Sequence, residues 1–361
     1  MTLEVRLRHR LGAFALDAAF EAPAGVTVLF GRSGSGKTTI VNAVAGLLRP
    51  DEGRIALHGR VLTATAAGVH VPPHHRRVGY VFQDGRLFPH LSVAGNLAYG
   101  RRLAPRAERQ DPARIARLLG IESLLDRRPG ALSGGEKSRV AIGRALLAAP
   151  RLLLADEPLA ALDEPRKAEI LPYLERLAGE ALVPILYVTH SPAEVARLAA
   201  TVVALQDGRV IRQGPAAEVL ADPAVTPAGA RAAGAILSAR VARHHPDGLT
   251  ELDAGGLPLL VPLLAAAPGA RVRLRVAASE VMLATARPAG LSALNVLPGR
   301  VTAVRPGEGP GAIVSVATDA GAILARVTRR SVAALALAPG TPCFAIVKSV
   351  AIAPDDVGSG P

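Results

Sequence analysis

The sequence predicts an α/β domain built on a parallel sheet, followed by a smaller all-β domain. Apolar runs at Val26–Phe30, Leu152–Ala155 and Ile185–Val188 each end in a glycine or a polar residue. Such runs are typical of central strands that are buried on both faces. Helical patterns lie between them, as at Lys137–Ala148. From about residue 235, short β-like runs separated by Gly and Pro replace this alternation, which indicates a different fold.

Length and composition are consistent with two domains. A chain of 361 residues is too long for one typical core, and half of its residues are apolar. We expect the α/β domain at residues 1–220, with a helical subdomain at about 85–148. A linker rich in Ala, Pro and Gly should occupy residues 221–234, and the all-β domain residues 235–354.

The all-β domain contains an internal repeat, which predicts two similar lobes. Three pairs of segments carry the repeat: Asp253–Val261 with Asp319–Val327, Pro268-Gly269 with Pro339-Gly340, and Val281–Ala284 with Val350–Ala353.

The formal net charge of +12 suits an anionic ligand, an anionic membrane surface or nucleic acid. A general preference for arginine over lysine explains it equally well. We expect no nucleic-acid partner, because the chain has no nucleic-acid-binding motif and its few aromatic residues do not alternate with basic ones.

Nothing in the sequence predicts a membrane span or a secretion signal. The longest apolar stretch, Leu257–Pro268, is much shorter than the roughly 20 residues that a spanning helix needs. Asp17 and Glu21 interrupt the apolar stretch near the N-terminus. The single Cys343 cannot form an internal disulfide, which fits a reducing compartment. We therefore expect a soluble chain, or one that reaches a membrane through a partner.

The segment Gly31–Thr39 fits the phosphate-loop pattern G-x-x-x-x-G-K-[ST], and it lies between a predicted strand and a predicted helix. Backbone N–H groups in such a loop surround phosphate oxygens, and the start of the helix attracts the same anion. Lys37 should reach the β- and γ-phosphates, and Thr38 should bind Mg²⁺. The residues expected to bind ATP here are Gly31, Ser33, Gly34, Ser35, Gly36, Lys37, Thr38 and Thr39.

Two carboxylates follow the apolar run at Leu152–Ala155. Asp156 is expected to hold Mg²⁺, directly or through water. Glu157 should face the γ-phosphate and polarise the attacking water. The alternative, a solvated acidic turn, does not account for the apolar strand or for the phosphate loop in the same chain.

A third motif, Leu132–Lys137, closely resembles the signature sequence of ABC-transporter ATPases. Three further segments resemble motifs of this family: Gln83 its glutamine loop, Ala161–Asp163 its D-loop and His190 its switch histidine. The resemblance covers about residues 1–220. It departs from the family pattern at Glu136 and Ser138, where the family usually has glutamine.

The resemblance implies a head-to-tail homodimer with two ATP molecules at its interface. Each nucleotide would lie between the phosphate loop of one copy and Ser133, Gly134 and Gly135 of the other. His190 would bond to the γ-phosphate, and Gln83 would contact Mg²⁺ or the attacking water. Phe14 is the candidate for stacking on adenine, with Phe20 as the alternative, and either could simply be a core residue.

The segment Arg77–His90 is similar to that of importer ATPases, especially molybdate importers. In this family the part after the glutamine receives a helix of the membrane permease. We therefore expect Leu87, Phe88 and Pro89 to form a docking surface. The alternative is a small core beneath the helical subdomain.

The all-β domain gives a clue to the substrate. Ser292–Val301 is similar to the opening of a small molybdate-binding β-barrel, and Val347–Ser349 to its closing strand. Hydroxyl and ammonium groups suit a tetrahedral dianion, which makes Ser292, Lys348 and Ser349 candidate oxyanion ligands. Leu294 departs from the pattern, because a basic residue is common there. A purely structural or dimerising barrel is the alternative.

The resemblance therefore implies an ATP-hydrolysing subunit that powers import of molybdate or tungstate. It would bind a dimeric permease at the cytoplasmic face of the inner membrane, and so act indirectly with an oxyanion-binding protein on the other side. The alternatives are importers of sulfate, ferric iron or a sugar, a soluble ABC-type ATPase acting on nucleic acid, and an oxyanion-storage protein.

Overall fold

The computed structural model describes residues 2–160, 162–180, 183–222, 233–307, 309–353 and 356–359. The chain divides into two compact units. The first consists of Met1–His190 and Leu198–Gly214, and the second of Ser191–Arg197 and Pro215–Pro361.

One eleven-stranded sheet runs through the first unit, in the order β6-β5-β4-β1-β2-β11-β10-β3-β9-β8-β7. Its strands are β1 (Leu3–Leu11), β2 (Phe14–Ala22), β3 (Val26–Gly31), β4 (Glu52–Leu57), β5 (Arg60–Ala64), β6 (Val69–His70), β7 (Val78–Val81), β8 (Leu152–Asp156), β9 (Ile185–Thr189), β10 (Thr201–Gln206) and β11 (Arg209–Pro215).

The predicted parallel core is confirmed. Strands β10, β3, β9, β8 and β7 pair in parallel, in that order. Every residue of β3, β8 and β9 is buried, as the continuous apolar runs predicted. The antiparallel strands around β1 and β2 were not predicted. Their signal is the alternation of apolar and polar residues along Leu3–Leu11, which matches a strand with one buried face.

The helices of the first unit are α1 (Lys37–Ala45), α2 (Val93–Leu103), α3 (Pro112–Leu119), α4 (Gly134–Leu147) and α5 (Glu164–Gly179). Helices α2, α3 and α4 lie between β7 and β8 in the chain, within the interval in which a helical subdomain is predicted. Helix α3 shows how the sequence sets their ends: Asp111 accepts hydrogen bonds from the first-turn N–H groups of Ala113 and Arg114, and Gly120 ends the helix with φ 58°.

The second unit is mainly β-structure, with two five-stranded sheets in the orders β14-β13-β12-β15-β21 and β16-β20-β17-β18-β19. Its strands are β12 (Gly234–His244), β13 (Leu249–Ala254), β14 (Leu257–Pro262), β15 (Arg271–Ala277), β16 (Val281–Ala284), β17 (Asn295–Pro306), β18 (Gly311–Thr318), β19 (Gly321–Thr328), β20 (Pro342–Val347) and β21 (Val357–Ser359). Its helices are α6 (Pro192–Leu198), α7 (Ala216–Leu220) and α8 (Arg329–Ala334).

The two sheets exchange strands, which explains the internal repeat. In each copy a 3₁₀ turn follows the last long strand, at Ala278–Glu280 and at Ser349–Ala351. The next strand then joins the sheet of the other copy, because β16 pairs with β20 and β21 pairs with β15. Residues of both sheets share one hydrophobic core. The third predicted pair of segments is out of register, since Val281–Ala284 is a strand whereas Val350 lies in the 3₁₀ turn.

The predicted linker lies largely outside the described residues, which stop at residue 222 and resume at residue 233. Within the described ranges, no helix has both the length and the apolar character that a membrane crossing requires.

A buried arginine holds the C-terminal end of α1. Arg76 is 1% exposed and donates to the carbonyl oxygens of Ala43 and Val44 at 2.8 and 3.0 Å. It also donates to the Val71 carbonyl and to the Thr63 hydroxyl, at 2.7 and 2.9 Å. Burial lowers the pKa of Arg76 to about 10, so the guanidinium stays charged at neutral pH. A cation at this end of a helix is favoured by the helix dipole.

We predict that Arg76→Ala lowers the free energy of unfolding of the first unit by about 3 kcal/mol, because four acceptors, three of them in buried hydrogen bonds, lose their donor at once. Urea denaturation of the full-length chain measures this. Arg8→Ala is the matched control, because Arg8 is 66% exposed in its ion pair with Asp17. An exposed pair of this kind contributes less than about 1 kcal/mol. Equal losses in the two variants would contradict the prediction.

Candidate nucleotide-binding site

The phosphate loop connects β3 to α1, as predicted. Gly34 and Gly36 have φ values of 81° and 101°, in a region that residues with a Cβ seldom adopt. Gly36 stands at the N-cap of α1 and has no side chain that could cap the helix. The first N–H groups of this helix can therefore donate to an anion, which the helix dipole favours at the same place.

Lys37 lies inside the loop, where it is 4% exposed. Its ammonium donates to the carbonyl oxygens of Gly31 and Arg32, at 2.8 and 2.9 Å. Burial lowers the pKa of Lys37, and the nearby carboxylates of Glu157 and Asp156 oppose that effect. An ammonium has three donors, so one remains for a phosphate oxygen.

Asp156 lies opposite the loop, at the end of β8. It accepts hydrogen bonds from the Thr38 hydroxyl and the Tyr80 hydroxyl, each at 3.2 Å. Burial is the main cause that raises the pKa of Asp156. A carboxylate beside a hydroxyl is the donor set that Mg²⁺ accepts at nucleotide sites. Tyr80 was not predicted as a site residue, although it lies only three residues before Gln83 in the sequence.

Glu157 follows Asp156 in a left-handed backbone conformation, with φ 46°. Its carboxylate lies between the Lys37 ammonium and the His190 imidazole. One oxygen is 3.8 Å from Lys37 Nζ and the other is 3.5 Å from His190 Nδ1. A non-glycine residue held in this conformation is strained, and such strain is concentrated at functional sites. The structure thus places His190 beside the carboxylate that was expected to activate water.

Lys37, Thr38, Asp156 and Glu157 border one cleft with a volume of about 400 Å³, and the predicted His190 is not among its lining residues. Phe14 and Leu11 add an apolar wall, and Phe14 packs against Gly36, where a Cβ would lie 3.2 Å from the ring. Phe20 is 5% exposed in the core and does not border the cleft. Leu11 was not predicted from the sequence as a residue of this cleft. The residues that line the cleft are Leu11, Phe14, Ser33, Gly34, Gly36, Lys37, Thr38, Thr39, Gln83, Asp156 and Glu157.

Some of the predicted nucleotide ligands lie away from the cleft surface. Gly31 and Ser35 belong to the phosphate-loop motif but do not line the cleft, and the Ser35 hydroxyl is buried without a hydrogen-bond partner among the described residues. Ser133, Gly134 and Gly135 do not line this cleft either, within the part of the chain that the structure describes. Their expected role at the site of another copy stays a prediction.

The signature segment begins α4, and its departure from the family pattern has a structural role. The Ser133 hydroxyl accepts a hydrogen bond from the Glu136 N–H at 3.3 Å, and the Glu136 carboxylate accepts one from the Ser133 N–H at 2.6 Å. This capping box stabilises the start of the helix. The hydrogen bond from the Ser133 N–H is the main reason why the pKa of Glu136 is lowered.

Two family models match the chain: the ABC transporter family at residues 17–160 and the TOBE domain at residues 291–354. A protein of Rhizobium etli named molybdenum import ATP-binding protein ModC is 56% identical over 98% of this chain and 99% of its own length. A protein of the same name from Mesorhizobium japonicum is 53% identical over 100% of this chain and 98% of its own length.

This chain belongs to the ABC transporter ATP-binding family. Its first unit also resembles solved ABC ATPases. One is cbiO1 from Clostridium perfringens, part of the ABC transporter complex cbiONQ, at 31% identity and a TM-score of 0.54 over 61% of this chain and 90% of that one. Another is a dimeric structure of a bacterial ABC transporter cassette, at 26% identity and a TM-score of 0.50 over 59% of this chain and 98% of that one.

We predict that Asp156→Asn stabilises this ABC protein at neutral pH in the absence of nucleotide and metal. A carboxyl whose pKa is raised by folding contributes stability below its unfolded pKa of 3.8 and loses it as the pH rises through the folded pKa. The variant avoids that loss. Its free energy of unfolding should therefore exceed that of the wild type by about 1 kcal/mol at pH 7, typical of relieving strain at an active site.

Urea denaturation in a chelating buffer, at several pH values from about 3 to 7, measures the effect. The difference between variant and wild type should shrink towards the acidic end. Asp84→Asn is the control, because Asp84 is an exposed carboxylate. A destabilised Asp156→Asn at pH 7 would contradict the assignment of burial as the dominant influence.

Proposed function

We propose that this chain is the ATP-hydrolysing subunit of an importer of molybdate or tungstate. The observation that carries the proposal is the convergence of Lys37, Thr38, Asp156 and Glu157 on one cleft, in a chain whose relatives named for molybdenum import match it over nearly its whole length. The proposal includes an ATPase domain at residues 1–220, a linker at 221–234 and a regulatory domain at 235–354.

In the proposed site the loop amides and Lys37 hold the phosphates of ATP. Thr38 and Asp156 would hold Mg²⁺, and Gln83 extends into the same cleft. The ion would neutralise charge on the β- and γ-phosphate oxygens. The residues fit such an ion, because a hydroxyl and a carboxylate oxygen already lie 3.2 Å apart there. Phe14 would stack on the adenine.

Glu157 is the proposed general base. Its carboxylate would take a proton from the water that attacks the γ-phosphate, while His190 donates a hydrogen bond to a γ-phosphate oxygen. The 3.5 Å separation of the His190 and Glu157 side chains supports this division of roles, since each can contact the same water. On the other side of Glu157, Lys37 Nζ lies 3.8 Å from the second carboxylate oxygen and places a positive charge there.

The site would be completed by a second copy in a head-to-tail homodimer. Ser133, Gly134 and Gly135 of that copy would face the γ-phosphate. The Ser133 hydroxyl accepts a hydrogen bond from the Glu136 N–H and can still donate its own proton to a phosphate oxygen. The resemblance to a dimeric ABC transporter cassette supports this arrangement.

The permease would dock beside the loop that follows Gln83. Pro89 is exposed there, and Phe88 packs its ring 4.5 Å from that of Tyr99, which is 42% exposed. Together with Leu103, which is 65% exposed, they form an apolar surface of the kind that marks a protein interface. Docking would hold the chain peripherally at the cytoplasmic face of the inner membrane. An oxyanion-binding protein outside would act on it only indirectly.

The second lobe of the all-β unit is the proposed oxyanion sensor. Asn295 at the start of β17 pairs with Val347 at the end of β20, so Ser292 and Lys348 extend from the same end of neighbouring strands. Next to them, the buried Ser349 hydroxyl has no hydrogen-bond partner among the described residues. A dianion would supply the missing acceptor, and the Lys348 ammonium the counter-charge.

The first lobe lacks these features. Its matching 3₁₀ turn contains Ser279, whose hydroxyl donates to the Glu280 carboxylate at 3.3 Å. A dianion there would meet a like charge, so we expect one oxyanion site per chain. Exposed Leu291, Leu294 and Val350 border the proposed site in the second lobe, and a second copy of the chain would cover them.

We predict that Glu157→Gln lowers kcat for ATP hydrolysis by at least about a hundredfold, because the general base is lost. Binding of ATP should stay within about threefold of the wild type, since the phosphate loop is unchanged. Phosphate release and equilibrium nucleotide titration measure the two quantities. Glu169→Gln is the control, because this glutamate is exposed on α5 and does not line the cleft. Retained hydrolysis in Glu157→Gln would contradict the assignment.

The transport function is tested in the organism that carries this chain. We expect deletion of the gene to lower cellular molybdenum at limiting external molybdate, measured by mass spectrometry. Wild-type chain should restore it and Glu157→Gln should not. Excess tungstate should compete, whereas sulfate, ferric iron and sugars should not. Unchanged molybdenum with a loss of sulfate, iron or sugar uptake would instead identify the alternative importer.

For the sensor, we predict that the full-length chain binds molybdate or tungstate and ignores sulfate. Lys348→Ala and Ser349→Ala should each weaken binding at least about tenfold, because a hydrogen bond to a charged group is lost. Isothermal titration calorimetry measures this, with Ser331→Ala in α8 as the control. Absence of binding, or equal binding by all variants, would reduce the lobes to a structural or dimerising role.

A further inference from the structure

Ser138, in the second turn of α4, makes a hydrogen bond that neither sequence nor helix geometry predicts. A serine inside a helix usually turns its hydroxyl back to the carbonyl four residues earlier. The Ser138 hydroxyl instead donates to the carbonyl oxygen of Pro158, at 3.0 Å. The side chain is buried, so water cannot replace it as the donor. Pro158 directly follows the proposed general base, Glu157.

The turn that contains Glu157 needs external support. Its backbone is left-handed at φ 46°, a conformation that costs free energy for a residue with a Cβ. The Glu157 N–H donates to the Val188 carbonyl at 3.1 Å, and the Glu157 carbonyl accepts from the Ala160 N–H at 3.1 Å. The hydrogen bond from the Ser138 hydroxyl to the Pro158 carbonyl adds support to this turn from α4.

The start of α4 also packs tightly against the segment after this turn. A Cβ on Gly134 would lie 2.9 Å from a methyl carbon of Leu162, and one on Gly135 would lie 2.9 Å from a methyl carbon of Ile170. Such distances show that the helix start packs closely against this segment, so a shift of the signature segment would press on the residues after Glu157.

We propose that Ser138 is a positioning residue that couples the two nucleotide sites of the dimer. Within one chain it joins the turn of Glu157, which serves the chain's own ATP, to the helix whose start would contact the ATP of the other copy. When the ATP of the other copy displaces Ser133–Gly135, the movement is then transmitted to Glu157, the general base of the chain's own site. The inference rests on the head-to-tail dimer of the proposed function.

Loss of the Ser138 hydroxyl leaves the Pro158 carbonyl buried without this donor, which favours other conformations of the turn. Ser138 is not among the residues that line the nucleotide cleft, so the phosphate loop should still bind ATP. The effect should therefore appear in kcat and in the cooperativity of hydrolysis, and not in nucleotide affinity. A serine that served only the stability of the helix would leave the cooperativity unchanged.

The test compares Ser138→Ala, Ser138→Thr and Val140→Ala in the full-length chain. Thr keeps a hydroxyl at the same place, and Val140→Ala is a control that creates a cavity in the same helix. We expect Ser138→Ala to lower kcat about tenfold and to bring the Hill coefficient for ATP from near 2 to near 1. The Kd for ATP should change less than about twofold. Ser138→Thr should retain most of the wild-type values.

Three results would overturn the inference: an unchanged Hill coefficient in Ser138→Ala, the same loss in Ser138→Thr, or the same loss in Val140→Ala. Sedimentation of Glu157→Gln with ATP tests the dimer separately. Absence of an ATP-dependent dimer would overturn both the arrangement and the coupling. A dimer that forms while Ser138→Ala stays cooperative would overturn the coupling alone.

Discussion

Parallel pairing of β3, β9 and β8 places the carboxyl ends of these strands at one edge of the sheet. The phosphate loop follows the first of them, His190 follows the second, and Asp156 ends the third. Residues more than a hundred positions apart in the chain therefore meet within hydrogen-bond distance, as the 3.2 Å contact between Thr38 and Asp156 shows. The site depends on this register, because a shift of one residue would turn each side chain to the other face.

The charges at this edge are partly compensated within the chain. Lys37 is buried beside Glu157 and Asp156, whose negative charges offset part of the cost of removing its ammonium from water. Helix α1 is held at its C-terminal end, where two carbonyls of the last turn accept hydrogen bonds from Arg76, while its start faces the cleft. Rigid support of this kind keeps the phosphate-binding amides in place and limits the reorganisation that nucleotide binding requires.

The second unit uses a different device for rigidity, the exchange of strands between its two lobes. Because β16 and β21 each complete the sheet of the other repeat, neither lobe can form its core alone. Asn295 reinforces this, with its side-chain amide bonded to both the N–H and the carbonyl of Leu260. An oxyanion bound at the end of β20 would therefore act on a stiff body rather than on a flexible loop.

Local signals in the sequence were enough to predict the parallel core strands, the phosphate loop, the acidic strand end and the family of the chain. A glycine loop or a buried apolar run can be recognised from neighbouring residues alone. The alternation along Leu3–Leu11 is also local, but the pairing of the antiparallel strands, the register of the repeat and the contacts of Tyr80, Leu11 and Ser138 came only from the three-dimensional structure. These pairings and contacts join residues that are far apart in the chain, and a local pattern does not specify which distant residues meet.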